Sequence, residues 1–325
     1  MTAALNGVVV VDKPPGPSSF AIVHQARKLT GVRKVGHGGT LDPAASGVLP
    51  ICFGEGTKIA QFLLDADKEY VASVRLGVAT DSYDATGTTV SRSPARDISA
   101  AAIESALASF RGWIWQRPPV FSALKRDGKP LYAYARAGEE VTVEARRVRI
   151  DAIEVLEFME LGMDAPVVRL RVACSKGTYI RSLAHDLGAL LGVGGHLEAL
   201  RRTRSGPFTL AQAIAPEALA TAASRLLSPA EALAGLPTMT LSPACVQAVG
   251  QGKAILWQEL GALPPGLVVG QGSPAPEATA GEATGDRPTT PLVRFLDPSG
   301  ALVAVAIPAG PQDRVRTLRV FGREG

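Results

Sequence analysis

Asp42 stands in the run Gly36-His37-Gly38-Gly39-Thr40-Leu41-Asp42-Pro43. Three glycines in the first four positions leave the backbone exposed, and Pro43 pushes Asp42 toward extended backbone and away from helix. A carboxylate on such a loop, anchored by Leu41 and Pro43, can meet a ligand as nucleophile or base. The same residues also make a good turn, Gly-Gly followed by Asp-Pro, so the run alone leaves both readings open. It is a poor phosphate cradle. It has neither the Gly-Lys-Ser/Thr ending of a P-loop nor the GxGxxG spacing of a dinucleotide turn, which sets aside a small-molecule enzyme gripping phosphate there.

Other segments carry chemistry-bearing types. They are Asp12-Lys13-Pro14-Pro15-Gly16-Pro17-Ser18-Ser19, Asp67-Lys68-Glu69-Tyr70, Phe121-Ser122-Ala123-Leu124-Lys125, Cys174-Ser175-Lys176-Gly177-Thr178-Tyr179-Ile180-Arg181 and Leu200-Arg201-Arg202-Thr203-Arg204-Ser205-Gly206-Pro207-Phe208. In this order and at about these separations, they and the Asp42 run resemble the bacterial tRNA pseudouridine-55 synthases, the TruB-like family. The resemblance covers roughly residues 6–236. Beyond it, the tail more weakly resembles the small RNA-binding PUA-type domain that ends many members.

The resemblance implies a reaction and a site. Asp42 takes the place of the nucleophile in an isomerisation that cuts the N-glycosidic bond of a uridine in the tRNA T arm, turns the uracil and rejoins it through carbon. A stacked base is out of reach, so the nucleotide must be flipped out and held. Arg181 would be the carboxylate's partner through paired hydrogen bonds; otherwise it snorkels on a helix face. Tyr70 would stack on the flipped uracil and take part in proton transfer, or else be ordinary strand core. Tyr179 would be a pocket wall. His37 would act as a wedge in the space the base vacates, or be a turn residue. Lys13 and Lys125 would touch phosphates or support the loop, or be surface lysines. Two departures stand out. Family members usually have Thr where this chain has Gly38, which should loosen the loop, and often Tyr where it has Phe121. No cofactor is implied, no guide RNA, and a stand-alone monomer is expected. The competing class is a structured-RNA-binding protein without catalysis, which would have no need for Asp42, Arg181 and Tyr70 together.

Composition agrees with an RNA partner. Of the 325 residues, 46% are hydrophobic and 20% charged, a globular composition. The net charge of +4 resides before residue 237, where 27 Lys and Arg face 23 Asp and Glu; beyond it the counts are 7 and 7. Residues 111–149 hold nine bases and four acids, and residues 171–205 hold six and two, ending in Arg201, Arg202 and Arg204. Such patches suit a polyanion, with Arg201 and Arg202 as RNA contacts, or are solvated faces. Cys52, Cys174 and Cys245 form no CxxC, and His24, His37, His185 and His196 no metal-spaced pair, so neither disulfide nor metal is expected. No apolar run reaches membrane-span length and no signal peptide is visible, which makes a cytoplasmic location the expectation.

Elements must hold these residues in place. Gly7–Val11 reads as a buried strand. Ser18 or Ser19 caps a helix with Phe20, Ile22, Val23, Ala26 and Leu29 as its apolar positions, stopped at Gly31. Residues 69–79 alternate, with Tyr70, Ala72, Val74, Leu76 and Val78 facing one way. A helix is predicted over 99–111, a strand over 167–174, and a helix from about Thr178 to Leu191 ended by Gly192. Strands and helices mix without βαβ regularity, so the class is α+β: a mixed, largely antiparallel sheet with flanking helices, plus a small β-rich C-terminal domain. The expected division is 1–236 for the catalytic domain and 237–325 for the PUA-like one. Residues 264–290, rich in Pro, Gly, Ala, Thr and Glu, read as a disordered insertion. A hairpin over 291–308 and a strand over 314–321 follow.

Overall fold

A computed structural model describes residues 5–321, apart from 123, 127, 132, 133, 135, 136, 138, 140 and 262–290. The expected insertion therefore lies outside the described residues. The chain runs β1 (Gly7–Lys13), α1 (Ser19–Thr30), β2 (Val35–His37), β3 (Ser46–Phe53), α2 (Ala60–Leu64), β4 (Lys68–Leu76), β5 (Val78–Thr80), β6 (Thr89–Arg92), α3 (Ala100–Ala108), β7 (Gly112–Gln116), β8 (Lys125–Arg126), β9 (Lys129–Pro130), β10 (Arg146–Met159), β11 (Val167–Cys174), α4 (Ile180–Leu190), β12 (Gly195–Ser205) and β13 (Phe208–Thr209). Then come α5 (Pro229–Ala232), β14 (Thr238–Thr240), α6 (Pro243–Gly250), β15 (Val293–Leu296), β16 (Leu302–Ile307) and β17 (Arg316–Val320). No helix among the described residues is long and apolar enough to cross a membrane.

The main sheet has nine strands in the order β1-β3-β12-β4-β11-β10-β7, with β2 on β3 and β13 on β12. All its pairings are antiparallel except β12 with β3. The architecture is α+β, as the mixed pattern of the sequence implies. Alternation sorts the side chains: Val9 and Val11 of β1 and Leu49, Ile51 and Phe53 of β3 enter one core with Ile22, Val23 and Ala26 of α1 and Leu183, Ala184 and Leu187 of α4. Val8, Val10, Val48 and Cys52 enter a second core on the opposite side. Tyr70, Ala72, Val74 and Leu76 join the first.

Several predicted bounds change. The strand expected over 69–79 breaks at Gly77, whose φ of +83° turns the chain, so Val78 starts β5. The helix predicted over 99–111 closes at Ala108. In α1, capped by the Ser18 side chain and ended by left-handed Gly31, Phe20 and Leu29 are 58% and 39% exposed instead of inward. A separate four-stranded sheet, β14-β15-β16-β17, contains the predicted hairpin and last strand. It has its own core around Trp257 and Phe295 and also packs Leu302, Val305 and Phe321 into the second core of the main sheet.

Candidate active site

The β2–β3 connection carries Asp42, and backbone bonds fix it at several points. Gly38 N donates to Pro50 O at 2.9 Å, Gly16 N to Pro43 O at 2.8 Å, and Ala45 N to Asp42 O at 3.0 Å. The buried Ser19 hydroxyl donates to Leu41 O at 3.0 Å and accepts from Leu41 N at 2.8 Å. Helix α1 is thus tied to the residue preceding Asp42.

Two buried cations complete the support. Lys13, with no exposed surface, donates Nζ to Pro14 O (2.9 Å), Pro17 O (2.8 Å) and Pro43 O (3.1 Å). Of the readings open for it, the geometry selects loop support. Arg202 is 1% exposed. Its Nε donates to Val48 O at 2.8 Å, Nη1 to Thr40 O at 3.2 Å and Nη2 to Gly39 O at 3.1 Å. This corrects the expectation of an RNA contact: the planar donor fork is spent on carbonyls of the Asp42 loop and β3, out of reach of a phosphate. Its neighbour Arg201 points the other way, to Asp12 Oδ2 at 2.7 Å and Ser46 Oγ at 3.4 Å, and stays 42% exposed.

Arg181 lies in the first turn of α4 with its side chain 6% exposed, and its Nε is 3.0 Å from Asp42 Oδ2. The N–H is not aimed at that oxygen, since Nε makes no directed hydrogen bond; the contact is an ion pair. The paired-fork expectation is corrected here as well. Nη1 is drawn instead to Phe121 O at 3.0 Å, Ser82 O at 3.3 Å and Asp84 Oδ2 at 3.6 Å. Asp84, which sequence reasoning missed, is held by Ser82 Oγ (2.8 Å), Thr86 N (2.9 Å) and Thr86 Oγ1 (2.6 Å), all on Oδ1. Its only sequence signal was the turn-forming run Asp81–Gly87.

Burial dominates the electrostatics. It raises the Asp42 pKa above the usual carboxylate value, Arg181 opposes that, and the like charge of Asp84 adds to it. Asp42 is nonetheless 42% exposed, which leaves a route for a ligand. Burial lowers Lys13 to about 8, against the pull of Asp42, and lowers His37, with Arg202 adding to the effect.

Tyr70 sits in β4 opposite Val172 and Arg202. It is 9% exposed, and burial raises its phenol against the opposing pull of Arg202, with the charge of Asp42 adding a smaller push upward. His37 ends β2, next to the loop, with Nδ1 buried and without a hydrogen bond. Tyr179 precedes α4. Its N donates to Gln116 Oε1 at 2.7 Å, its O accepts from Gln116 Nε2 at 3.0 Å, and the Arg146 guanidinium lies 4.8 Å from its ring centre. Lys125 is in β8, but its side chain lies outside the described residues.

A half-exposed carboxylate paired with a buried arginine, and a buried phenol that feels its charge, are groups suited to nucleophilic chemistry. Comparison with known proteins gives the family. The family "TruB family pseudouridylate synthase (N terminal domain)" matches residues 27–180, and "tRNA pseudouridylate synthase B C-terminal domain" matches residues 181–234. The chain is 54% identical over 216 residues to the tRNA pseudouridine synthase B of Francisella tularensis subsp. novicida (strain U112), covering 66% of this chain and 70% of that protein. It is 50% identical over 256 residues to that of Azoarcus sp. (strain BH72), covering 77% and 83%.

The chain belongs to the TruB family of pseudouridine synthases.

As a TruB-family chain it is an isomerase. Its fold matches the solved structure titled "Crystal Structure of a Cbf5-Nop10-Gar1 Complex" with a TM-score of 0.71 and 29% identity, over 97% of this chain and 84% of that one. The structure titled "Structure of H/ACA RNP bound to a substrate RNA containing 2'-deoxyuridine" matches with a TM-score of 0.70 and 27% identity, over 97% and 85%. Both TruB-family matches end before β14, so the last sheet lies beyond them.

Proposed function

We propose that this enzyme converts the T-arm uridine at position 55 of tRNA to pseudouridine, with Asp42 as nucleophile. The observation that carries the reading is the Asp42–Arg181 ion pair at 3.0 Å, in which the arginine is buried and the carboxylate still open. A protein that only held RNA would gain nothing from that pair. The uridine leaves its stack and enters the opening, with the His37 ring in the place it vacates. Tyr70 stacks on the uracil, and Tyr179 walls the pocket. The C1′–N1 bond breaks, the uracil turns, and C1′–C5 forms. C5 loses its proton and N1 gains one, so the reaction is balanced without an oxidant. Attack at uracil C6 and attack at ribose C1′ require the same ionised carboxylate. Arg181 favours that ionised form, opposing the burial that raises the carboxyl's pKa. The phenol of Tyr70, whose pKa burial raises, takes part in proton transfer.

With Arg202 internal, other cations meet the polyanion. Residues 13–41 hold five Lys and Arg and no acid, and Lys28, in the last turn of α1, and Arg33, just beyond it, are exposed. Arg201, 42% exposed, is a further open cation. Residues 1–236 form the catalytic domain and 237–325 a PUA-like RNA-binding domain. The enzyme acts in the cytoplasm as a monomer, without guide RNA.

The test is tritium release from 5-labelled uridine in a T-arm hairpin. Asp42→Asn keeps shape and removes the nucleophile; the expected result is normal hairpin binding and no turnover. Turnover within about tenfold of wild type, a loss of under about 1.4 kcal/mol in transition-state stabilisation, would reject the assignment.

A further inference from the structure

Among the described residues only Tyr83 and Glu160 are non-glycines with positive φ, Tyr83 at 65°. A bulky residue there is strained. Such strain persists only where the surroundings fix it. Around Tyr83 they do: Leu197 N donates to Tyr83 O at 2.9 Å, Ala85 N to Leu197 O at 3.0 Å, and Tyr83 N to Thr80 O at 3.3 Å. Thr80 Oγ1 also donates to Asp84 O at 2.7 Å. The strained backbone aims the Tyr83 ring at α4, where it stacks on His185 with centroids 3.9 Å apart and planes 16° from parallel. His185 Nδ1 is buried and makes no hydrogen bond, so the stack is what locates that ring.

The placement matters because of what flanks it. Tyr83 lies between Ser82 and Asp84, which both contact Arg181. His185 lies four residues after Arg181, one turn along the same face of α4. The turn and the helix are thus joined twice: once through the arginine and once, a helical turn away, through the rings. The arginine's own contacts with the turn are long, 3.3 Å to Ser82 O and 3.6 Å to Asp84 Oδ2. A second joint fixes how far the helix can roll against the turn.

We propose that the Tyr83–His185 stack is a positioning device, which holds α4 against the 80–86 turn so that Arg181 stays on Asp42. Tyr83 and His185 touch no reacting atom; they act through Arg181. The inference rests on the reading of Asp42 and Arg181 as the reacting centre, and its test separates the two.

The Asp42 carboxyl is titrated by carbon-13 NMR in the full-length protein, alongside single-turnover rates on saturating hairpin, RNA affinity and melting temperature. Arg181 lowers the Asp42 pKa, so a displaced arginine raises it. Tyr83→Ala is expected to raise the Asp42 pKa and slow the single-turnover step by about tenfold, with RNA affinity unchanged. Tyr83→Phe, which keeps the stack, restores both. Tyr83→Gly relieves the strained φ and should melt higher than Tyr83→Ala while remaining as slow, because the ring is still missing. In an Arg181→Lys background, removing the Tyr83 ring should add little, since both act through one side chain. An unchanged Asp42 titration in Tyr83→Ala overturns the device, as does a rate loss that adds in full to that of Arg181→Lys. If the titration shifts but the wild-type enzyme forms no pseudouridine, the device stands and the proposed function falls.

Discussion

At the scale of single residues, the buried Lys13 and the half-exposed Asp42 feel each other's charge and are shifted in opposite senses. Lys13 needs its proton, because three hydrogens meet three carbonyls. Burial brings its pKa from 10.5 to about 8. As pH rises through about 8 one acceptor loses its donor, so the single-turnover rate should fall. Stability should move the other way. Between about 8 and 10.5 the unfolded chain holds a proton that the folded chain has released, so this group makes folding more favourable as pH rises. Lys68 is shifted through the same window, so the readout is the difference between wild type and Lys13→Met in urea unfolding against pH. A falling rate that tracks a falling stability would refute the separation. Gly38 yields a second prediction. A Cβ there would lie 2.9 Å from Leu63 Cβ and Cδ1; Leu63 fills the space that the family's threonine would take. Gly38→Thr should destabilise by about 1–3 kcal/mol through overpacking. Adding Leu63→Ala should bring the pair below the sum of the single losses, measured by urea unfolding; strict additivity would show that the two sites do not share the space. The Asp42–Arg181 pairing was legible in the sequence because both residues stand in the motifs that carry the family resemblance. Arg202 was not, because sequence charge cannot tell a guanidinium that meets phosphate from one that meets carbonyls.

At the scale of elements, α1 is coupled to the catalytic loop by one hydroxyl. Ser19 is 2% exposed and serves both polar groups of Leu41. Ser19→Ala leaves a buried N–H and a buried C=O unmet, a cost of about 1–3 kcal/mol for each such group. The cap of α1 belongs to Ser18, so the helix itself should survive. The expected result is a lower melting temperature together with a slower single-turnover step, whereas Ser18→Ala should lower the melting temperature alone. Equal rates for both variants would sever α1 from the site. Elements with one clean period were legible: β1, α1, β4, α4 and the β15–β16 hairpin stand where alternation or helical spacing puts them. The central strand β12 was not, because bulges between Leu197 and Ala199 and between Arg202 and Arg204 break its alternation. Its arginines then read as a charged surface. β10 is broken by two register shifts in the same way.

At the scale of the whole molecule, the boundary near residue 237 separates two sheets but not two cores. Composition marks the boundary, while contacts across it leave no trace in sequence. Val8, Val10, Val48, Cys52, Ile59, Leu63 and Phe208 on the catalytic side share one apolar cluster with Leu302, Val305 and Phe321 from the C-terminal sheet. Lys58 adds a bond from Nζ to Val320 O at 3.4 Å and lies 5.8 Å from the Phe321 ring centre. Removing residues 237–325 would therefore do more than delete an RNA contact. It would open the β1–β3 layer that carries the Asp42 loop, since Val8 and Val10 alternate with Val9 and Val11 of the catalytic core. The truncated chain is expected to melt lower, to bind a dye for exposed apolar surface, and to lose single-turnover activity even on a minimal hairpin. Phe321→Ala separates the two effects. It keeps every residue of the C-terminal sheet and deletes a ring that is 8% exposed, at about 3 kcal/mol. If packing is what the C-terminal sheet supplies to catalysis, Phe321→Ala should lower stability and leave affinity for full-length tRNA intact at temperatures where it is folded. A Phe321→Ala enzyme with wild-type stability, or a truncated chain that melts like the wild type and turns over a saturating hairpin normally, would show that the last sheet is an appended RNA contact and not a wall of the catalytic core.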